Sequence, residues 1–470
     1  MTYNVRAHSY VVGGLGVTGQ ACVRFLKQQG AKVKAFDTRD TFNVSAPLNI
    51  CVTTGTLPRD FFAGVDTLVL SPGLPLNIEQ VKQAKACGVE VIGDVELFAR
   101  LNNTPTIGIT GSNGKTTVTL LTTHMLKACG YEVCEAGNVG RPVLETLPES
   151  MAELETQSSS LDVIVLELSS FQLETTSSLK LNAASILNVS DDHLDRHGDM
   201  QQYIAAKQRI FSHCNTAVVW RGDKQVTPTS NCENTITYGL DISDTGFGLR
   251  EGVITFNGEA LLNTADIRLA GMHNVLNVMA SLALCQAFST SLNKPALLNT
   301  AARAVASFTS APHRCVQIAN INGVKWIDDS KATNVGATIA AIQGLAPTTN
   351  GKIILIAGGD SKGADLSALK PALDESVGEV IALGKDAEKF SAVFRDTTIV
   401  ASMEKAVLAA NLRAGNGDIV LLSPACASID MFKNYMHRAQ VFTDAVTHIT
   451  EKVKFESDAG AVKEAGGLPS

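Results

Sequence analysis

The chain has 470 residues, 45% of them hydrophobic and 18% charged, with a net charge of −7. That balance excludes a disordered or coiled-coil chain, and the lack of a basic stripe argues against a nucleic-acid binder. No apolar run reaches the roughly 18 residues of a membrane span, and at about 150 residues per domain the length suggests three domains.

The opening alternates short apolar strands with amphipathic helices. SYVVGG over 9–14 reads as a strand, GQACVRFLKQQG over 19–30 as a helix closed by Gly30, and KVKAFD (32–37) and DTLVLSPG (66–73) as strands. This βαβ rhythm predicts a parallel sheet, left through a linker at 102–105. GLGVTG at 14–19 follows the first strand as G-x-G-x-x-G, and Asp37 ends the next strand, completing a dinucleotide fingerprint. A tight turn at a helix N-terminus also takes the diphosphate of a nucleotide sugar. An NAD-dependent oxidoreductase and a nucleotide-sugar protein therefore both stand at this point, beside a turn that only packs a helix.

A second α/β unit begins at PTIGITG (105–111). In TGSNGKTT an apolar strand ends in a loop carrying Gly111, Ser112, Asn113 and Gly114, followed by a helix starting TTVTLL. Glycines let backbone N–H groups face phosphate oxygens, Lys115 can neutralise the outer phosphates, and the Thr116 hydroxyl, with Thr117 beside it, can reach a magnesium ion. Ile109 stands where the usual P-loop has its first glycine, so this is a variant loop.

DVIVLELSS (162–170) ends a buried strand at Glu167, a costly place for a lone charge and a good one for a magnesium ligand. NVSDDHLDRH then clusters Asp191, Asp192, His193, Asp195, Arg196 and His197 at another strand end. YIAAKQRIF sets Lys207 in an amphipathic helix, where a lysine alone would read as a snorkelling side chain. From Thr216 the pattern shifts to TAVVWRG, NTITYGL and GFGLREGVITFNGEALL, and Asn257-Gly258 predicts a hairpin within an antiparallel subsheet. A helix over 272–288 follows.

A third α/β unit starts near SAPHR, with strands VKWIDD, KIILIAGG, EVIALG and DIVLLSP. Lys331 and Lys362 supply cations and Arg314 can fork onto a phosphate. The last 20 residues, polar and glycine-rich, are expected to fray. The ten cysteines form no C-x-x-C pair, and the start MTYNVRAHSYVV lacks the features of a signal peptide. Both observations predict reduced thiols and a cytoplasmic protein.

In order along the chain, TGSNGKTT, LELSSFQLE, DHLDRH, GMHNVLN, PHR, DDSKATN, GGDSKG and SPACASIDMFKNY resemble the Mur ligase family of peptidoglycan synthesis. The last two are most similar to the branch that adds D-glutamate. The resemblance runs from about Gly13 to about Ala445. It implies three α/β domains: a Rossmann-like N-terminal domain (1–103) for the UDP-linked substrate, a central P-loop domain with an antiparallel subsheet (104–310) for ATP, and a Rossmann-like C-terminal domain (311–450) for the amino acid. A polar tail (451–470) follows.

The resemblance further implies that Val17, Thr18 and Gly19, with Asp37, Thr38 and Arg39 and with Ser71, Pro72 and Gly73, hold uridine diphosphate, which displaces NAD. Asn138 and His193 would meet the muramoyl substrate or metal. Asn274, Asn277, Arg314 and Asp329 would serve ATP, and Thr333, Lys362, Ser428 and Tyr435 would hold D-glutamate. Two magnesium ions would rest on Thr116, Glu167, His193 and a carbamylated Lys207, with Lys115, His193, Lys207 and Lys331 catalytic. The implied partners are ATP, UDP-N-acetylmuramoyl-L-alanine and D-glutamate, acting on a monomer without nucleic acid or membrane. Related ligases adding other amino acids, folate polyglutamate synthases among them, share the phosphate loop. Ala439 stands where the family usually has glycine, which puts an expected tight turn after Arg438 in question.

Overall fold

The computed structural model describes residues 3–41, 48–148, 161–269, 271–291, 297–309 and 313–465, with backbone alone for Asp195 and 452–465. Pro312 of the PHR motif and the last five residues lie outside these. Three sheets organise the chain.

The first contains β1 (Ser9–Gly13), β2 (Lys32–Asp37), β3 (Cys51–Thr54), β4 (Thr67–Leu70) and β5 (Glu90–Gly93) in the order β3-β2-β1-β4-β5, every pair parallel. Strand order reverses between β1 and β4. In open α/β sheets the crevice beyond the strand ends at such a point is where ligands bind, and here it receives the loops that begin at Gly14 and Ser71. β3 and β5 were not anticipated: each is four residues long and half polar.

The second sheet contains β6 (Thr106–Thr110), β7 (Val133–Gly137), β8 (Val163–Glu167), β9 (Leu181–Ile186), β10 (Cys214–Trp220), β11 (Asn234–Tyr238), β12 (Phe247–Arg250), β13 (Val253–Phe256) and β14 (Glu259–Asn263). Its order is β14-β13-β12-β11-β10-β9-β6-β8-β7. The antiparallel part is smaller than expected. β10 and β11 pair in parallel with their neighbours, and only β12–β14 run antiparallel, continuing the main sheet. The Asn257-Gly258 hairpin is present, with φ of 50° and 82°, the positive pair that a type I′ turn needs.

The third sheet contains β15 (Val316–Ile321), β16 (Val324–Asp328), β17 (Ile353–Gly358), β18 (Val377–Leu383), β19 (Thr397–Ile399) and β20 (Ile419–Leu422), ordered β15-β16-β20-β17-β18-β19. Only β15 is antiparallel to its neighbour. Alternation along the strands separates two cores: Ile353, Leu355, Ala357, Ile419 and Leu421 face one, and Ile354, Ile356, Val420 and Leu422 the other. Such double burial explains their unbroken apolar runs.

The chain forms two compact units. One comprises Met1–Val189, Arg196–Arg268 and Leu276–Phe308, the other Ser190–Asp195, Leu269–Val275 and Thr309–Ser470. The first two sheets belong to one unit because a single apolar cluster runs through both, from Val12, Val69 and Ile92 to Ile164, Leu166 and Ile186. The expected linker at 102–105 is a fixed turn in which Asn102 Nδ2 donates to Thr104 O and Thr106 Oγ1. The expected fraying of the tail is also corrected. Helix Tyr435–Ala465 runs through most of that stretch. Ala439 lies buried inside this helix, so no tight turn follows Arg438.

Candidate active site

At the carboxyl ends of β1, β2 and β4 the backbone makes the site. Gly14 takes φ 83° and its N–H donates to Phe36 O. Gly19 sits so near that an added Cβ would lie 1.8 Å from Gly14 O, whereas one at Gly16 would meet nothing within 4 Å. Helix Val17–Gln28 follows, with Val17 76% exposed at its first turn. The buried Asp37 carboxylate accepts four hydrogen bonds: from Leu15 N (2.7 Å), Arg39 N (2.9 Å), Arg39 Nε (2.8 Å) and Arg39 Nη2 (2.8 Å). The Arg39 guanidinium holds its pKa down at about 2. Roughly four lone-pair sites are thus already used. A ribose hydroxyl, which an NAD fingerprint acid must bind, would have to displace the Arg39 side chain, itself 55% exposed. Thr38 and Arg39 are exposed beside it.

Ser71, Pro72 and Gly73 follow β4, with Ser71 N donating to Gly13 O and Leu74 N closing the turn on Ser71 O.

The second loop is built on β6. Thr110 ends the strand, Gly111 has φ 156°, and Gly114, with φ 82°, caps helix Lys115–Ala128. Asn188, at the end of the neighbouring β9 segment, fixes the loop: its Oδ1 accepts from Asn113 N (2.8 Å), its Nδ2 donates to Asn113 O (3.1 Å), and its carbonyl accepts from Ser112 N (2.9 Å). Lys115 Nζ donates to Gly111 O at 2.7 Å and Ser112 O at 2.9 Å, so the ammonium lies over the loop. Asn277, on helix Met272–Ser291, comes so close to Gly114 that a Cβ there would lie 2.7 Å from its Oδ1. Thr116 and Thr117 are buried in the first helical turn.

β8 lies beside β6 in register, Ile109 opposite Glu167. Glu167 is 1% exposed; Oε1 accepts from Asn138 Nδ2 at 2.8 Å, while the buried Oε2 has no hydrogen-bond partner. A buried carboxylate oxygen left unsatisfied is expensive, and a hard cation is the natural complement. Among the described residues no three His, Cys, Asp or Glu side chains gather as a metal cage.

Lys207 is also 1% exposed, on helix Met200–Gln208. Its Nζ donates to Gly111 O at 3.0 Å and lies 4.4 Å from the Tyr203 ring centroid, and the Tyr203 hydroxyl bonds Ser112 Oγ at 3.1 Å. It is not a snorkelling side chain.

The second unit holds a small cleft lined by Asp191, Asp192, His193, Thr333, Ser361 and Lys362, with Leu194, Asn334 and Ala364. Lys362 (φ 53°) donates through Nζ to Asp192 Oδ1 at 3.1 Å, and His193 Nε2 lies 3.5 Å from Asp192 Oδ2. His193 thus shares this cleft with Thr333 and Lys362, while Thr116, Glu167 and Lys207 belong to the first unit. Nearby in sequence to Arg314, Cys315 N donates to Asp329 Oδ1 (3.2 Å) and Ser423 Oγ to Oδ2 (2.8 Å). Burial nevertheless pushes the Asp329 pKa up to about 7.

Lys331 Nζ lies 4.0 Å from the Tyr435 ring centroid, and His313, edge-on to that ring, shares a 2.6 Å hydrogen bond with Asp328. Ser428 is buried, its carbonyl accepting from Phe432 N at 2.8 Å. Asn274 N donates to Gly271 O at the start of its helix. Arg438, 2% exposed, donates to Cys426 O (3.1 Å) and Ser330 O (2.9 Å), tying together the segments that carry Ser428 and Lys331.

Sequence reasoning overlooked Asn188, Tyr203 and Arg438. Tyr203 had a signal, since it stands four residues before Lys207 and shares its helix face. Asn188 and Arg438 had none, because their partners are distant in the chain.

Three domain descriptions match in chain order: "Mur ligase MurD-like, N-terminal domain" over residues 8–93, "Mur ligase middle domain" over 109–285 and "Mur ligase, glutamate ligase domain" over 313–426. The chain is 43% identical over 464 residues to the UDP-N-acetylmuramoylalanine–D-glutamate ligase of Thiobacillus denitrificans, covering 93% of this chain and 95% of that one. It is 39% identical to the protein of the same name from Idiomarina loihiensis, covering 93% and 96%. Among solved structures, the UDP-N-acetylmuramate–alanine ligase of Thermotoga maritima aligns with a TM-score of 0.59 at 16% identity, over 94% of this chain and 99% of that one. The MurF ligase of the same organism, in complex with ADP, aligns at 0.57 and 17%, over 96% and 99%. At such identities these two similarities show a shared fold.

Proposed function

The chain belongs to the Mur ligase family, and from that premise we propose that it joins D-glutamate to UDP-N-acetylmuramoyl-L-alanine, converting ATP to ADP and phosphate. The observation that carries this reading is the 43% identity, over nearly the whole chain, to a ligase of that name. In this reading residues 1–103 take the UDP-linked substrate, 104–310 take ATP and 311–450 take the amino acid, in a monomer working in the cytoplasm. No helix among the described residues is long and apolar enough to cross a membrane.

A carboxylate resists attack by an amine because the attack adds charge to an anion. Moving the γ-phosphate of ATP onto the alanyl carboxylate creates an acyl phosphate with a good leaving group. The D-glutamate nitrogen then attacks, and phosphate departs from the tetrahedral intermediate.

In this chemistry the loop Gly111–Gly114 presents backbone N–H groups to the phosphates, Lys115 balances their charge, and Asn188 keeps the loop in shape. Asn138 orients Glu167, which with Thr116 and a carbamylated Lys207 would hold magnesium, and His193 would complete the metal or muramoyl contacts. Magnesium, when bound, would spread the charge of the transferring phosphoryl group. Asn274, Asn277, Arg314 and Asp329 would contact ATP. Lys362, Thr333, Ser428 and Tyr435 would hold D-glutamate, with Lys331 as a nearby cation. The Asp37–Arg39 pair and the GLGVTG and Ser71–Gly73 loops would receive uridine diphosphate.

The test follows ADP release with ATP, magnesium and UDP-N-acetylmuramoyl-L-alanine, adding one amino acid at a time. D-glutamate alone should sustain turnover. Steady turnover with L-lysine or meso-diaminopimelate instead would reject the assignment. Hydroxylamine in place of the amino acid should trap a hydroxamate at the alanine end.

A further inference from the structure

The loop over 71–73 is anchored from outside its own sheet. Arg196, in the segment DHLDRH, donates through Nη1 to Pro72 O at 3.1 Å and through Nη2 to Leu74 O at 3.0 Å. Its guanidinium stacks 4.2 Å from the Phe171 ring centroid, and Nη2 lies 3.5 Å from Glu174 Oε2. The side chain is 14% exposed. A planar fork with two parallel donors fits two carbonyls of one turn in a way that a point charge does not.

The anchor is itself fixed. Glu174 accepts from His197 Nδ1 at 3.1 Å, and His197 Nε2 bonds Ser170 Oγ at 2.9 Å. The His197 ring stacks on Phe171 and packs on Tyr203, whose hydroxyl bonds Ser112 of the phosphate loop. A continuous set of contacts therefore runs from the 71–73 turn to the ATP loop, all within the first compact unit.

We infer that Arg196 is a positioning residue for the uridine-diphosphate pocket, acting through the carbonyls of Pro72 and Leu74. This rests on the substrate reading given above. With both carbonyls held, the Ser71–Gly73 turn keeps one conformation against Gly13, and its outward face is presented ready-made to the nucleotide. Without the fork, the turn keeps its Ser71 N to Gly13 O and Leu74 N to Ser71 O bonds and the packing of Leu74, a looser hold whose ordering on binding costs affinity.

The experiment compares wild type, R196A and R196K by two readouts: KM for each substrate in the ligase assay, and calorimetric binding of UDP alone. R196A should raise KM for the UDP-linked substrate and the dissociation constant of UDP by about tenfold, with KM for ATP changed less than twofold. R196K keeps a cation against Phe171 and Glu174, so it should melt within a few degrees of wild type and still show at least a threefold rise on the UDP side. Equal rises for ATP and the UDP-linked substrate, or an unchanged UDP affinity in a folded R196K, would overturn the inference. If the wild-type protein fails to use D-glutamate but binds UDP, the ligase reading falls while the UDP titration still decides the role of Arg196.

Discussion

Replacing Gly19 by alanine puts a methyl carbon where the Gly14 carbonyl oxygen already lies, at 1.8 Å. Ordinary carbon–oxygen contact is near 3.2 Å, so helix and loop must part by more than an ångström. Overpacking of a rigid site costs about 1–3 kcal/mol and sometimes more, and here the neighbour is backbone, which gives little. Gly16 provides the internal control: the same methyl meets nothing within 4 Å, and its φ of −70° is open to any residue.

Gly16→Ala should therefore cost less than about 1 kcal/mol of stability, the scale of a helix N-cap exchange. If a diphosphate approaches this turn, however, the methyl at Gly16 stands in its path and should weaken UDP binding roughly tenfold or more. Urea unfolding and UDP calorimetry on both variants separate the two effects. Gly19→Ala should lower stability and binding together, Gly16→Ala binding alone. A Gly19→Ala protein as stable as wild type, or a Gly16→Ala protein that binds UDP normally, would refute the reasoning.

If Lys207 supports a metal as proposed, Lys207→Ala should reduce ligase turnover by roughly a hundredfold. Acetate or formate should restore part of it if the lysine works as a carbamate, and absence of rescue together with indifference to bicarbonate would count against that modification. Asn138→Ala strips Glu167 Oε1 of its donor, which should cost about 1–3 kcal/mol and raise the magnesium concentration needed for half-maximal rate. The Asp37 pKa falls from 3.8 to about 2 on folding, chiefly through Arg39. Its stabilisation is thus present above about pH 4 and lost as pH falls through 2. With Arg39 half exposed, this amounts to about 1–2 kcal/mol, and acid titration of stability should show a flatter profile for Asp37→Asn across that window.

Signals carried by neighbouring residues were legible in the sequence. The Gly114-Lys115-Thr116 run fixed a loop and helix, and Asn257-Gly258 fixed a hairpin, because each depends on backbone freedom over a few residues. β15 was legible too: Asn322-Gly323, with φ of 50° and 82°, joins it to β16 by the same signal, which was read at one hairpin and passed over at the other. β19, three residues long at a sheet edge, offers no periodicity to read. Contacts between residues far apart in the chain were least legible. Arg196 appeared only as one charge in a crowded loop, since its carbonyl partners lie more than 120 positions earlier. The burial of Lys207 likewise depends on a loop 96 residues away.

The apolar cluster shared by the first two sheets bears on how the protein could be cut apart. A gene divided at codon 103 would separate helices Val17–Gln28 and Asp94–Leu101 from Val143–Thr146, which packs against both, and so open the shared cluster. The two fragments should be poorly soluble when made singly and should recover solubility when co-expressed. A truncation that respects the sheets but ignores their common interior is therefore the wrong starting point for crystallising either sheet alone.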